Sequence, residues 1–477
     1  MRIVLCVLAL GLGGCSLGGG PNDDDRRTPP STASGRTVTV RVAGDSGLVR
    51  STFVEELERV SGGRVRADVM RYDRSADDVN KRIVRDLAHG RLDVASVSTR
   101  VWESLGVTDL RAFQSPFLLT SDALLDRATS DPRVTRPLLG SLAELNVTGF
   151  AFAPAGVRYL FAAREPLSTP RAFAGARIRI EPSLTSEGIL RQLRARPTTA
   201  VRGGRAVVDA LRDGRLDAVE ADMRSATRNG YLAAAPHIGS PLFAEVATIV
   251  AGTDRLRELA PDAAGWIRAA ATRAAAVQRA ADDRASWAAA CGAGLESAPS
   301  TPAQLDALHA ALLDVHAGLD GDSTAALAID RMGLMAVRER VTDAWARCEP
   351  RAAASTTVLD GAYEVTISEA DAARAGWTPG NAGPFRLEIG HGRYAIFHTG
   401  PADPEWPDWD FSRDPVEVGS VLLRGDTALF RPETAIRVGS RPATFRFELF
   451  RDRVRWRHVS GDEAAVFDVP IAWSKVN

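Results

Sequence analysis

The chain has 477 residues, 59 of them Lys or Arg and 60 Asp or Glu, for a formal net charge of -1. At about 150 residues per domain this length implies roughly three domains or lobes, and 45% hydrophobic with 25% charged residues excludes a disordered or membrane-embedded chain. The near-neutral balance argues against a nucleic-acid partner.

Residues 1–15 read MRIVLCVLALGLGGC: one positive charge, a short apolar run and small residues, the pattern of an export signal and too short to span a bilayer. The tetrad Leu12, Gly13, Gly14, Cys15 resembles the lipobox of bacterial lipoproteins. That resemblance implies a diacylglycerol on the Cys15 thiol and an extracytoplasmic protein anchored to the cell membrane by lipid; a plain secretory signal is the alternative. Residues 16–36, rich in Gly, Pro, Ser and charge, suit a flexible tether. With Cys6 and Cys15 set aside, Cys291 and Cys348 remain, an even pair in an oxidising compartment, and a disulfide between two Trp-bearing, Ala-rich helical segments is the reading. Two free buried thiols are the alternative, and no metal site or cofactor is implied.

From Thr37 short β-branched runs alternate with helical stretches (TVTVRVA, FVEELERV, RVRADVM, DVNKRIVRDLAHG, LDVASVS), which predicts an α/β lobe with a largely parallel sheet. The passage VRDLAHGRLDVASV at 84–97 has a partner, VVDALRDGRLDAVEA, at 207–221. Each reads as a helix, a glycine stop and a strand entered through Arg-Leu-Asp. Two lobes on one plan, the second beginning near Val147, would enclose a cleft. Residues 255–348 carry helical periodicity and are expected to wrap the lobes. Residues 37–350 thus form one two-lobed module.

Beyond the linker CEPRAAASTT, residues 351–477 hold short alternating strands separated by hairpin signals, an all-β antiparallel barrel or sandwich. Five of the nine tryptophans (Trp377, Trp406, Trp409, Trp456, Trp473) fall here, as core packing or, for Trp406 and Trp409, as the lining of a mouth. LDGAYEV and PIAWSKV loosely resemble the ends of lipocalin-like (calycin) barrels.

Five passages in order, SGGRVRADV (61–69), GRLDVASVS (90–98), QSPFLL (114–119), GVRYLF (156–161) and TPRAFAGARIRI (169–180) leading to DALRDGRLDAVEAD (209–222), make residues 37–348 resemble the solute-binding proteins of tripartite ATP-independent periplasmic (TRAP) transporters. The resemblance implies a type II-like periplasmic-binding-protein fold that closes on a small organic anion, commonly a carboxylate, and delivers it to a membrane permease. It assigns Arg179 as the carboxylate clamp and Arg158 as a second basic residue facing the cleft. A planar guanidinium pairs bidentately with a carboxylate, about 1.5 to 3 kcal/mol when desolvated; a structural salt bridge is the alternative for either arginine. Ser98 and Gln114 lie where the first lobe would meet ligand. Ala221 replaces the family's Asn after Glu220, so Glu220 or Asp222 faces an amine or orders an arginine.

A rival enzymatic reading rests on Gly-Asp-Ser at 44–46 and Asp-x-x-His at 306–309, which resemble the nucleophile and dyad spacing of SGNH hydrolases, with Ser46, His309 and Asp306 as nucleophile, base and orienter. The helical setting of DALH and the missing oxyanion passage weigh against it, so no enzyme is expected. A third reading is a surface sensor that uses the same lobes without a permease.

Overall fold

Two long antiparallel strands carry the chain between its lobes. A computed structural model describes residues 37–44, 52–73, 78–259, 262–279, 284–320, 323–338, 348, 357–374, 382–390, 392–400, 415–435, 442–461 and 472–476, and Thr37–Asn477 forms one unit. The α/β part contains β1 (Val38–Gly44), β2 (Val65–Val69), β3 (Val94–Ser98), β4 (Val147–Ala162), β5 (Arg177–Arg179), β6 (Arg196–Thr198), β7 (Ala218–Ala221), β8 (His237–Ile238), β9 (Phe243–Gly252) and β10 (Glu296–Ser297). They form one sheet in the order β2-β1-β3-β9-β4-β7-β5-β6, with β8 on β4 and β10 on β8.

The sheet is mixed where a largely parallel one was expected. β2, β1 and β3 run parallel in the first lobe, and β7, β5 and β6 do so in the second. Between them β4 leaves the first lobe and β9 returns to it, and an outgoing strand beside a returning one must be antiparallel. Val147 therefore still belongs to the first lobe's sheet; pairing with β7 begins only at Tyr159. The crossing is marked by a register shift between Pro154 and Gly156. Proline donates nothing to the ladder, and Gly156 takes φ +115°, a backbone that side chains rarely adopt.

The repeated text folds as a repeated device. Helix Val79–Ala88 buries Ile83, Val84 and Leu87, helix Gly204–Arg212 buries Val207, Val208, Ala210 and Leu211, and each is followed by a left-handed glycine, Gly90 (φ +69°) and Gly214 (φ +66°). In the first copy Asp93 accepts from the backbone N–H, Nε and Nη2 of Arg41 on β1. In the second Asp217 accepts from the same three groups of Arg177 on β5.

The C-terminal part closes into a barrel of β11 (Gly361–Ile367), β12 (Gly383–Gly390), β13 (Arg393–His398), β14 (Glu417–Arg424), β15 (Thr427–Ala435), β16 (Ala443–Phe450), β17 (Arg453–Gly461) and β18 (Trp473–Val476). Tyr363, Leu387, Tyr394, Phe430, Phe445, Trp456 and Trp473 fill its interior, with the Phe430 ring 4.9 Å from Tyr394 and 5.3 Å from Trp456. Eight strands enclose about the space that side chains fill. Trp377, Trp406 and Trp409 lie outside the described residues.

Helix Ser323–Val337 joins barrel to module: Ala325, Ala328, Ile329, Met332 and Ala336 enter the first-lobe core, while Leu334 and Val337 pack on Ala395, Phe397 and Val418 of the barrel. A Cβ on Gly333 would come within 2.8 Å of Val418, so glycine permits this approach. Arg338 adds a two-bonded pair to Glu388 of β12, at 2.6 and 2.5 Å. Cys291 and Cys348 are bonded, with Cα atoms 5.4 Å apart; residues 339–347, the rest of the DAWAR segment, lie outside the described residues.

Candidate functional site

The end of β3 and the short helix Arg100–Glu103 that follows it face β7 across the cleft. Arg100 donates through Nη2 to Glu220 Oε1 at 2.7 Å and through Nη1 to Oε2 at 3.2 Å. On the other side of Glu220, Arg158 of β4 donates Nε to the same Oε1 at 2.7 Å and Nη1 to Asp222 Oδ2 at 2.9 Å. Glu245 of β9 pairs with the Arg100 Nε side and accepts from the Ser98 hydroxyl. All five charged groups are buried or nearly so, with Arg100 and Glu220 at 2% and 0% side-chain exposure. Two guanidinium groups therefore meet three carboxylates away from water.

This surplus of negative charge splits the carboxylates. Burial drives Glu220 toward its neutral form, but the Arg100 and Arg158 charges outweigh burial and hold it at about 2. Glu245 is nearly as buried and has fewer direct donors, and desolvation wins: its carboxyl is shifted upward. Asp222 spends its other oxygen capping helix Met223–Asn229 through the Ser225 N–H, 2.8 Å away.

Two more contacts join the lobes. Glu103 Oε2 accepts from the Thr185 N–H at 3.0 Å and hydroxyl at 2.8 Å. Gln114 Oε1 accepts from Ser183 at 2.6 Å and Ser186 at 3.0 Å at the start of helix Leu184–Gln192. These residues close the cleft by direct polar contact.

Arg179 stands apart. At the end of β5, with a side chain 11% exposed, it donates Nε to the Val201 carbonyl at 3.2 Å and Nη1 to Glu181 at 2.6 Å, and Glu181 is itself 47% exposed. Tyr231, buried nearby, has its phenol pushed up by burial, an effect that the Arg179 charge opposes. The structure thus gathers Arg158, Glu220 and Ser98 into one network through Arg100 and Glu245, and sets Arg179 and Gln114 at separate points. Glu220 orders arginines. Arg100 and Glu245 escaped sequence reasoning, though Glu245 is a lone charge in the apolar run LFAEVATIVAG, and a charge at such a place is buried only when paired; Arg100, with Ser98 and Thr99 before it and Glu103 after, carries no such signal.

Of the hydrolase residues, Ser46 lies outside the described residues. Asp306, buried, gives both oxygens to Arg431 of β15, and His309 packs against Phe117 and His316, with ring centroids 5.2 and 5.7 Å away. Asp306 thus holds barrel to module. Among the described residues no group of His, Cys, Asp and Glu could hold a metal ion.

Residues 46–318 match the profile of the family described as bacterial extracellular solute-binding protein, family 7. The chain belongs to this family. A curated family 7 relative, the C4-dicarboxylate-binding periplasmic protein DctP of Rhodobacter capsulatus, is 29% identical over 174 residues, 36% of this chain and 50% of that protein. The chain thus spans about half the length of the curated relative it matches. The fold is shared with solved TRAP periplasmic solute-binding proteins. One, from Anaerococcus prevotii with bound glucuronate, has a TM-score of 0.54 and 19% identity over 63% of this chain and 98% of its own. Another, from Sulfitobacter sp. with bound galacturonate, has a TM-score of 0.52 and 16% identity over 61% and 98%. A third, from Ochrobactrum anthropi with its C-terminus in the ligand-binding pocket, has a TM-score of 0.55 and 18% identity over 65% and 98%. Family 7 proteins work outside the cytoplasm, and the barrel from β11 onward lies beyond the matched residues.

Proposed function

We propose that the two-lobed module captures a small organic anion, a sugar acid or a short dicarboxylate, in the interlobe cleft and delivers it to a TRAP-type membrane permease. In this reading the chain is a lipoprotein held at the membrane through Cys15 and performs no chemistry on its ligand. The observation that carries it is the contrast between the arginines. Arg100 and Arg158 are each paired with two carboxylates that are buried or nearly so, whereas Arg179 has a single carboxylate partner, Glu181, that is 47% exposed. A ligand carboxylate that displaces Glu181 gains a guanidinium already desolvated on most of its surface. The Arg100–Glu220 pair then acts as the latch that closes the lobes over it.

A thermal-shift screen of hexuronates and C4-dicarboxylates tests the reading. At least one acid should raise the melting temperature of the wild type and leave Arg179→Ala unmoved, while an equal rise in both proteins would sink the arginine clamp.

A further inference from the structure

The β16–β17 hairpin of the barrel has an outer face unlike the rest of the surface. Between residues 446 and 457 it carries Arg446, Arg451, Arg453, Arg455 and Arg457 against Glu448 and Asp452, in a chain whose overall net charge is -1. The register puts Arg446 directly opposite Arg457, Glu448 opposite Arg455 and Phe450 opposite Arg453, all on the exposed face. Like charges directly opposite destabilise a strand pair, so this arrangement costs the fold stability. Arg446 is drawn toward Asp426 at 3.0 Å and Arg453 toward Asp452 at 3.6 Å, while Arg451, Arg455 and Arg457 form no ion pair among the described residues. At the tip Leu449 and Phe450 are 43% and 50% exposed, and the Arg455 guanidinium lies over the Phe450 ring, 5.8 Å from its centre.

We infer that this hairpin docks on an anionic lipid bilayer, with Leu449 and Phe450 entering the headgroup layer and the arginines on the lipid phosphates. Charge complementarity alone would suit any polyanion. The exposed apolar tip selects the bilayer, because a phosphate polymer offers nothing for Leu449 and Phe450 to leave water for, whereas an interface takes up an aromatic ring and lets the arginine stems lie beside it. Nucleic acid is an unsuitable partner for a family that works outside the cytoplasm. Docking here would orient the barrel, and the module packed on it, against the membrane. It requires no lipid on Cys15 and stands whichever solute the cleft takes.

The test uses the unit Thr37–Asn477, which lacks both Cys15 and the apolar leader. Sedimentation with phosphatidylcholine vesicles, with and without phosphatidylglycerol, should show binding only to the anionic vesicles, weakening as salt shortens the Debye length below about 10 Å. Each arginine near such a surface contributes roughly a fivefold factor. The double variant Arg455→Gln/Arg457→Gln should therefore lose about twentyfold or more in partitioning, and Phe450→Ser should lose severalfold, with the melting temperature lowered in neither. No binding to anionic vesicles, or equal binding to neutral ones, overturns the inference. So does full retention by Phe450→Ser with loss only in the arginine variant, since that outcome describes an acidic polymer site.

Discussion

Arg100 and Glu220 lie 120 positions apart and meet in a two-bonded pair, at 2.7 and 3.2 Å, that spans the cleft from one lobe to the other. Neither group can be buried alone, because an unpaired charge away from water costs several kcal/mol. Here each has two oppositely charged partners, Arg100 with Glu220 and Glu245 and Glu220 with Arg100 and Arg158, and the Arg100–Glu220 pair is the one that joins the two lobes.

Glu220→Gln leaves Arg100 and Arg158 short of countercharge and should lower the unfolding free energy by about 3–5 kcal/mol in denaturant titrations. The pH dependence carries a separate sign. Glu220 sits at about 2 in the folded chain against an ordinary 4.5, so its contribution is present above 4.5 and disappears as pH falls toward 2. Glu245 is shifted upward, so its contribution is complete below the ordinary carboxylate range and is lost as pH rises through its folded value. Melting curves from acid to neutral pH should show a flatter acid limb in Glu220→Gln. The deficit of Glu245→Gln relative to wild type should shrink as pH rises. Parallel curves for all three proteins would refute this division of roles.

Gly156→Ala should cost about 1–3 kcal/mol. Its φ of +115° is strained for alanine, and the new Cβ would come 3.0 Å from the Cβ of Asp222, the residue that fixes the Arg158 Nη1 group. Gly140→Ala, in helical backbone with nothing near its new methyl, is the control and should leave stability the same or raise it by up to about 1 kcal/mol. Chemical denaturation of the two variants beside the wild type decides it, and an unaffected Gly156→Ala would mean that the crossing bulge relaxes freely.

The Cys291–Cys348 bond closes a separation of 57 residues. Chain entropy sets its contribution at about 4 kcal/mol for a loop of that size. The double variant Cys291→Ser/Cys348→Ser should melt lower than wild type in the absence of reductant and at the same temperature with it. Wild type should fall to the variant's value when reduced. A wild type insensitive to strong reductant under unfolding conditions would contradict the bond.

Much of the fold was legible in short windows. The glycines of the two Gly-Arg-Leu-Asp passages end their helices in the left-handed conformation, and the alternating runs after residue 357 become barrel strands with Tyr363, Tyr394 and Trp456 facing in. The antiparallel centre of the sheet was not legible, because β4 and β9 each resemble any buried strand and their direction depends on which lobe the chain must reach next. The network around Glu220 was legible only in part: Arg158, Glu220 and Ser98 could be named, whereas Arg100 and Glu245 could not be connected to them.

Local structure can be read from short stretches of the chain: where helices stop, which strand faces turn inward, and that a repeated unit builds two lobes. These follow from contacts among residues a few positions apart, where backbone sterics and hydrophobic periodicity act alone. Which arginine meets which carboxylate depends on the packing of distant segments. Ser98 and Glu245 are 147 positions apart, Arg158 and Glu220 are 62 apart, and in a chain with 59 basic and 60 acidic residues every arginine has many partners of equal local merit. Desolvation makes the choice, since a buried guanidinium is tolerated only where packing delivers a carboxylate to it. That choice gives Arg100 and Arg158 two carboxylates each and leaves Arg179 with one.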